Sequence, residues 1–264
     1  MSTNIPQGFD TLCGIMTMIS DNLQHVRERI ATACREAGRE ADAVRLLAVS
    51  KTFGADAVAA AFAAGQSAFG ESYIQEAVEK MAKLRHLPIE WHMIGPIQSN
   101  KTRLVAEHFD WVHSVDRLKT AQRLNEQRLA HLPPLQVCLQ VNLDGGANKA
   151  GVTPDEAPAL ARQLAGLARL QLRGLMCIPE PAPDFEANYV MFTRAKALFD
   201  HLKLEIPAFS AAAAPQFDKL SMGMTADLEA AIHAGSTLVR VGTAIFGARA
   251  PKAGSDAGGP RSAL

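Results

Sequence analysis

Short, strongly apolar runs alternate with longer amphipathic segments rich in Ala and Leu along most of the chain. The short runs are rich in Val, Leu and Ile and are bounded by turn residues, which is typical of strands buried on both faces. The clearest are VRLLAVS (44–50), WHMI (91–94), LQVCLQVNL (135–143), LQLRGLMCI (170–178) and TLVRV (237–241). The segments between them predict helices, of which two end at Gly65 and Gly235, where a glycine is a natural helix stop.

This alternation predicts the fold class. Eight predicted strands, each linked to the next by a predicted helix, favour an α/β fold, a single (β/α)8 barrel of the TIM type. A doubly wound open sheet is the alternative, because periodicity does not show whether a parallel sheet closes. We expect an N-terminal extension over 1–19, one barrel domain over 20–249 that begins with an extra helix over 20–38, and a disordered tail over 250–264.

Composition narrows the classes of protein. The 264 residues carry 27 Lys and Arg against 27 Asp and Glu, and this balance argues against a protein that binds nucleic acid by neutralising phosphates. No run approaches the roughly 18 apolar residues that a membrane span needs. The first ten residues do not resemble a secretory signal, and the four cysteines lack metal-binding or disulfide-scaffold spacing. We therefore expect a cytoplasmic protein with no metal site.

Lys51 is the most informative candidate for chemistry. In parallel α/β folds the working groups lie where the strands end at their carboxyl side, and Lys51 directly follows the first predicted strand. An amine at the mouth of a barrel is desolvated, which favours the neutral form that attacks an aldehyde. A solvated lysine at a strand end is the alternative, and spacing alone favours that alternative.

The ends of the last two strands suggest an anion site. Ser221 and Gly223 lie at the end of the seventh predicted strand, and Gly242 and Thr243 follow the eighth; phosphate sites in β/α barrels often use these two loops. Glycines that only turn the chain are an equal alternative. Arg240 lies inside the eighth strand and needs a partner if it points inward, either a carboxylate or a nitrogen in the ring of a ligand.

Weaker candidates surround these positions. Lys149 is a second amine near the predicted mouth, although surface solvation is its simpler role. His92 and Met176 are candidates for pocket walls, and ordinary core packing is the simpler role of each. Neither a Gly-x-Gly-x-x-Gly motif nor a Walker lysine loop occurs, which weighs against dinucleotide and nucleoside-triphosphate binding.

Several longer motifs occur in a characteristic order. They are AVSKT (48–52), FGESYIQE (69–76), WHMIGPIQSNK (91–101), GLMCIP (174–179), LSMGMTADLEAAI (220–232) and GSTLVRVGTAIFGAR (235–249). With these motifs the chain resembles the pyridoxal phosphate homeostasis proteins over about residues 20–249. The resemblance implies a barrel like the N-terminal domain of alanine racemase, with pyridoxal 5′-phosphate (PLP) bound at its mouth.

The resemblance also assigns roles to individual residues. It implies that Lys51 forms the Schiff base with PLP and that Arg240 faces the pyridine nitrogen. The phosphate-binding positions match Ser221, Gly242 and Thr243, and the pocket-lining positions match His92, Asn142, Met176 and Lys149. The chain departs from the family pattern in two places. Ser72 stands where the family usually has Asn, which puts an amide contact in doubt, and Thr225 stands where Ser is common.

The implied function is to hold PLP and pass it on, with PLP-dependent apo-enzymes as recipients and without amino-acid turnover. An arginine beside the pyridine nitrogen disfavours its protonation, which makes the ring a poorer electron sink. We do not expect Tyr73 or Tyr189 to lie at a strand end, which is where a substitute for the catalytic tyrosine of alanine racemase would have to be. We also expect the protein to be a monomer. Two alternatives stay open: a PLP-dependent amino-acid racemase, and a phosphosugar enzyme that uses no cofactor.

Overall fold

A computed structural model describes residues 7–145, 150–210 and 216–248, and it contains a closed barrel of eight parallel strands. Each strand pairs with the next in the sequence, and pairing of the last strand with the first closes the ring. The strands are β1 (Arg45–Val49), β2 (Ala68–Glu71), β3 (Glu90–Met93), β4 (Trp111–Val115), β5 (Leu135–Val141), β6 (Leu170–Cys177), β7 (Lys219–Ser221) and β8 (Leu238–Val241). Closure confirms the predicted (β/α)8 barrel and excludes the open sheet.

Helices follow the strands and surround the barrel. The helices of the described residues are α1 (Gln7–Glu36), α2 (Ala55–Ala63), α3 (Ile74–Lys83), α4 (Thr102–His108), α5 (Leu118–Gln127), α6 (Ala157–Ala165), α7 (Phe185–Phe209), α8 (Leu228–His233) and α9 (Thr243–Phe246). None of these helices combines the length and apolarity that crossing a membrane requires.

The extra N-terminal helix is longer than the sequence predicted. α1 begins at Gln7, whereas the amphipathic pattern placed its start at residue 20. Ile19 is buried in the same apolar cluster as the outer faces of the strands, so the packing of α1 extends past the predicted boundary. The predicted boundary between residues 19 and 20 therefore falls inside this helix, and the predicted disordered tail lies outside the described residues.

The interior of the barrel is more polar than the layer between the strands and the helices. That outer layer is a large apolar cluster, to which β6 contributes Leu172, Leu175 and Cys177. The interior holds smaller apolar groups, such as the cluster of Trp111, Cys138 and Met176. Polar side chains fill much of the remaining interior, and they belong to the site described below.

A β-bulge at Gly174 sets which side chains of β6 face inward. The register between β5 and β6 shifts at this point, so the alternation of inward and outward residues is reset by one position. Gly174 has φ +154°, and a Cβ atom there would lie 1.7 Å from the carbonyl oxygen of Lys219. Only glycine fits this close approach of two strands. After the bulge, Met176 joins the interior cluster.

Candidate functional site

Lys51 lies in a tight turn at the carboxyl end of β1. The preceding residue, Ser50, is fully buried, and the following residue, Thr52, has φ +72°, a left-handed conformation that is costly for a β-branched residue. The N–H group of Thr52 donates a hydrogen bond of 2.9 Å to Glu76 Oε1, on α3. The backbone on both sides of Lys51 is therefore held in place by neighbouring elements.

A buried ion pair between Lys80 and Glu71 contacts the backbone of this turn. Lys80 Nζ, on α3, lies 2.6 Å from Glu71 Oε1 and donates at 2.9 Å to the carbonyl oxygen of Ser50. It also lies 3.0 Å from Glu76 Oε1, and the Ser50 hydroxyl donates to Glu71 at 2.6 Å. Burial raises the pKa of Glu71, although the nearby charge and hydrogen bond of Lys80 oppose that rise. Neither Glu71 nor Lys80 is among the residues that the sequence predicted for the site.

Lys51 lines a cavity of about 630 Å³ at the mouth of the barrel. Its wall is formed mainly by the segments that follow β1, β2 and β3, including Ser72, Tyr73 and Lys101, with Ile178 from the segment after β6. Tyr73 is 49% exposed. This position corrects the prediction for Tyr73, because the residue follows the end of β2 and lines the same cavity as Lys51.

Arg240 lies in β8, the strand that pairs with β1, with its Cα opposite that of Leu47. The residue is only 4% exposed. Its Nη1 donates to the carbonyl oxygen and to the hydroxyl of Ser221, each at 2.7 Å, and its Nη2 donates to the Cys177 carbonyl oxygen at 2.9 Å. These three oxygen atoms are the polar partners that the buried guanidinium of Arg240 requires. No carboxylate among the described residues forms a salt bridge with Arg240.

The predicted anion-site residues fall into two groups. Ser221 is fully buried, and its hydroxyl contacts Arg240 and, at 3.0 Å, His113 Nδ1 inside the barrel. Nearer the surface, the hydroxyl groups of Thr243 and Thr225 lie 3.3 Å apart, which brings together the loops after β7 and β8. Gly242 precedes Thr243, and a Cβ atom there would lie 3.1 Å from the Val49 carbonyl oxygen.

The other predicted pocket residues lie at different places in the barrel. His92 and Met176 are fully buried inside the barrel, beneath the cavity rather than in its wall. Asn142 directly follows β5, where its N–H group donates to the Val152 carbonyl oxygen at 2.8 Å. Lys149 lies outside the described residues.

His92 connects the middle of the barrel to its amino-terminal end. His92 Nε2 lies 2.5 Å from Glu90 Oε1, and Arg45 lies 2.8 Å from the same carboxylate oxygen. Burial raises the pKa of Glu90, but the hydrogen bond from His92, together with the charge and hydrogen bond of Arg45, lowers it to about 2. Glu90 is therefore ionised at neutral pH.

We expect Glu90 to make stability depend on pH. A carboxylate with a lowered pKa in the folded state stabilises the protein above its ordinary pKa of 4.5, and this contribution is lost as the pH falls towards about 2. The free energy of unfolding in urea should therefore differ more between wild type and Glu90→Gln at about pH 6 than at about pH 3. The exposed Glu126, changed to Gln, serves as control. A difference for Glu90→Gln that is the same at both pH values would contradict this assignment.

Most of the chain matches a known class of β/α barrel. The family model described as "Alanine racemase, N-terminal domain" matches residues 22–250. An alanine racemase structure from Corynebacterium glutamicum shares the fold, with a TM-score of 0.58 and 16% identity over 88% of this chain and 62% of its own. The protein is thus an alanine-racemase-type β/α barrel.

Closer relatives define the family. A "Pyridoxal phosphate homeostasis protein" of Pseudomonas aeruginosa is 55% identical over 234 residues, which cover 89% of this chain and 97% of the relative. The structure of PipY from Synechococcus elongatus, described as having PLP bound, has a TM-score of 0.73 and 37% identity, and covers 87% of this chain and all of PipY. The chain belongs to the family of pyridoxal phosphate homeostasis proteins, as its motifs predicted.

Proposed function

We propose that this protein binds PLP through Lys51 and passes it on to PLP-dependent apo-enzymes without turning over amino acids. The observation that carries the proposal is the position of Lys51, held in a fixed turn at the end of β1 and facing a cavity of about 630 Å³. The relatives support the ligand, because PipY is described with PLP bound. A monomer in the cytoplasm remains a prediction from the sequence.

The donor groups at the mouth of the barrel fit the three reactive parts of PLP. The aldehyde needs an amine, which Lys51 supplies. The pyridine nitrogen needs a donor or a proton, and Arg240 lies on the strand paired with β1. The phosphate needs hydroxyl and N–H donors, and the paired hydroxyls of Thr225 and Thr243 are available at the ends of the last two strand loops. We therefore assign these residues to the cofactor, with Gly242 allowing close approach of the backbone.

The charge of Arg240 argues against amino-acid turnover. Bound PLP supplies an electron-withdrawing ring that stabilises carbanions, and the ring does so best when its nitrogen is protonated. A guanidinium can only donate hydrogen bonds and keeps its charge at all relevant pH values. Placed beside the ring nitrogen, it disfavours a second positive charge there. The protein therefore suits storage and delivery of PLP better than amino-acid chemistry.

A racemase of the same barrel class is the second candidate, and Tyr73 is the observation in its favour. Its phenol belongs to the wall of the cavity that Lys51 faces, so an acid or base other than lysine is present there. Tyr189 is not placed in this way, because it stacks on Phe185 on α7. The two candidates differ in whether the α-proton of an amino acid exchanges with solvent.

The experiment that separates them uses purified protein loaded with PLP. We expect a visible absorbance band, transfer of PLP to an added apo-enzyme, and no exchange of the α-proton of L-alanine in D2O by NMR. Alanine racemase serves as positive control for exchange. Exchange that is rapid in wild type and lost in Tyr73→Phe would establish the racemase instead. Absence of the band after loading would reject a Schiff base between PLP and the protein.

A further inference from the structure

A continuous row of hydrogen bonds crosses the interior of the barrel beneath the proposed PLP site. Arg240 Nη1 donates to the Ser221 hydroxyl at 2.7 Å, and this hydroxyl lies 3.0 Å from His113 Nδ1. His113 Nε2 lies 2.9 Å from His92 Nδ1, and His92 Nε2 lies 2.5 Å from Glu90 Oε1. The side chains come from four strands, β3, β4, β7 and β8. We call this row the interior chain.

Burial makes each link of the interior chain important. Ser221, His113 and His92 have no exposed surface, so water does not compete for their polar atoms. A polar atom left without a partner at such a position is costly, which favours one complete arrangement over partial ones. The ring of His92 also stacks on Trp111, with centroids 5.3 Å apart, and this contact fixes its plane.

The two ends of the interior chain determine the direction of every bond in it. The guanidinium of Arg240 can only donate, and the carboxylate of Glu90 can only accept. Burial lowers the pKa of both histidines, that of His113 well below the ordinary value, so both imidazoles are neutral. His92 therefore donates from Nε2 to Glu90 and accepts at Nδ1. It follows that His113 also donates from Nε2 and accepts at Nδ1 from the Ser221 hydroxyl.

We propose that His113 is a positioning residue for Arg240, because it fixes the Ser221 hydroxyl in the one rotamer that accepts from the guanidinium. This inference rests on the proposed function of Arg240 beside the ring of PLP. If the hydroxyl rotates away, Nη1 of Arg240 keeps only the carbonyl oxygen of Ser221 as acceptor on that residue. The guanidinium then keeps its bonds to the carbonyl oxygens of Ser221 and Cys177 but loses the third acceptor that restricts its orientation towards the cofactor.

The tautomers can be measured in the protein without added cofactor. Nitrogen-15 NMR of the imidazole rings at about pH 7 should show both His92 and His113 neutral with the proton on Nε2. A proton on Nδ1 of His113, or a charged His113, would reverse or break the chain and overturn the inference. This measurement does not depend on whether PLP binds.

Variants of His113 test the positioning of Arg240. His113→Leu fills a similar volume but has no acceptor, whereas His113→Asn places an amide oxygen near the position of Nδ1. We expect the Leu variant to bind PLP about tenfold more weakly, with a displaced absorbance maximum, and the Asn variant to lie closer to wild type. Cys138→Ala, which removes a buried interior side chain outside the interior chain, is the packing control.

Ser221→Ala is the second variant, and it removes the same link with a much smaller loss of volume. If His113→Leu does not fold, Ser221→Ala should still show the weaker binding and the displaced maximum. Wild-type affinity and spectrum in Ser221→Ala would overturn the positioning role while leaving PLP binding intact. Failure of the wild type to bind PLP would instead reject the proposed function, and the tautomer measurement would still decide the direction of the chain.

Discussion

Lys51→Ala is expected to abolish the visible absorbance that the wild-type protein gains with PLP. An alanine has no amine to bond to the aldehyde, so cofactor retained by the phosphate and ring contacts alone would be loosely held. Borohydride treatment followed by peptide mass mapping measures the bond directly. In wild type, the reduced adduct should map to the peptide that contains Lys51, and in the variant it should be absent from that position.

Lys101 provides a matched comparison because it lines the same cavity. If Lys101→Ala loses the absorbance while Lys51→Ala keeps it, the assignment of the reactive amine is wrong. An adduct that moves to Lys149 in the Lys51→Ala variant would identify the second amine that the sequence places near the mouth. Loss of the adduct only in Lys51→Ala fits the proposed role of the first strand end.

Lys80→Met is expected to lower the free energy of unfolding by about 3–5 kcal/mol. Lys80 is 4% exposed and Glu71 is fully buried, so removal of the ammonium leaves a carboxylate in the interior without its charged partner. The carbonyl oxygen of Ser50 loses the same donor. The free energy of unfolding in urea measures this loss, and PLP binding should weaken as well because Ser50 precedes Lys51.

Lys83→Met is the control for Lys80→Met, since Lys83 lies on the same helix with its side chain exposed. Its effect should stay below about 1 kcal/mol. The double variant Lys80→Met with Glu71→Gln should recover part of the stability, because a neutral amide is less costly to bury than a carboxylate. Equal losses in Lys80→Met and Lys83→Met would show that the buried pair does not support this turn.

The order of the elements could be predicted from the sequence because strand and helix patterns are local. The runs at 135–143 and 170–178 contain β5 and β6 completely. Closure of the barrel depends on the pairing of β1 with β8, between segments almost two hundred residues apart, for example Leu47 with Arg240. Hydrophobic periodicity carries no information on such a pairing. The start of α1 was missed for a similar reason, because Ile19 is buried only by tertiary packing.

Part of the candidate site can be proposed from the sequence alone. A lysine after an apolar strand and an arginine inside one stand out against their neighbours, and the family motifs assign them to PLP. The partners of Arg240 were not predictable, since Cys177 and Ser221 reach it only through the closed barrel. His113 was missed because a single histidine in an apolar strand has no distinctive spacing. Glu71 had one local signal, a carboxylate at the end of the apolar run AFG.

The bulge at Gly174 makes the exact number of residues in β6 critical, because one residue more or fewer changes which side chains face inward. Without the extra residue, regular alternation would turn Met176 outward to the helices and direct Cys177 towards the barrel axis. The carbonyl oxygen that receives Nη2 of Arg240 belongs to Cys177, so the same shift would withdraw it. The orientation of a guanidinium on β8 thus depends on a residue count two strands away. An insertion or a deletion in that segment would therefore displace one of the acceptors that hold the Arg240 guanidinium.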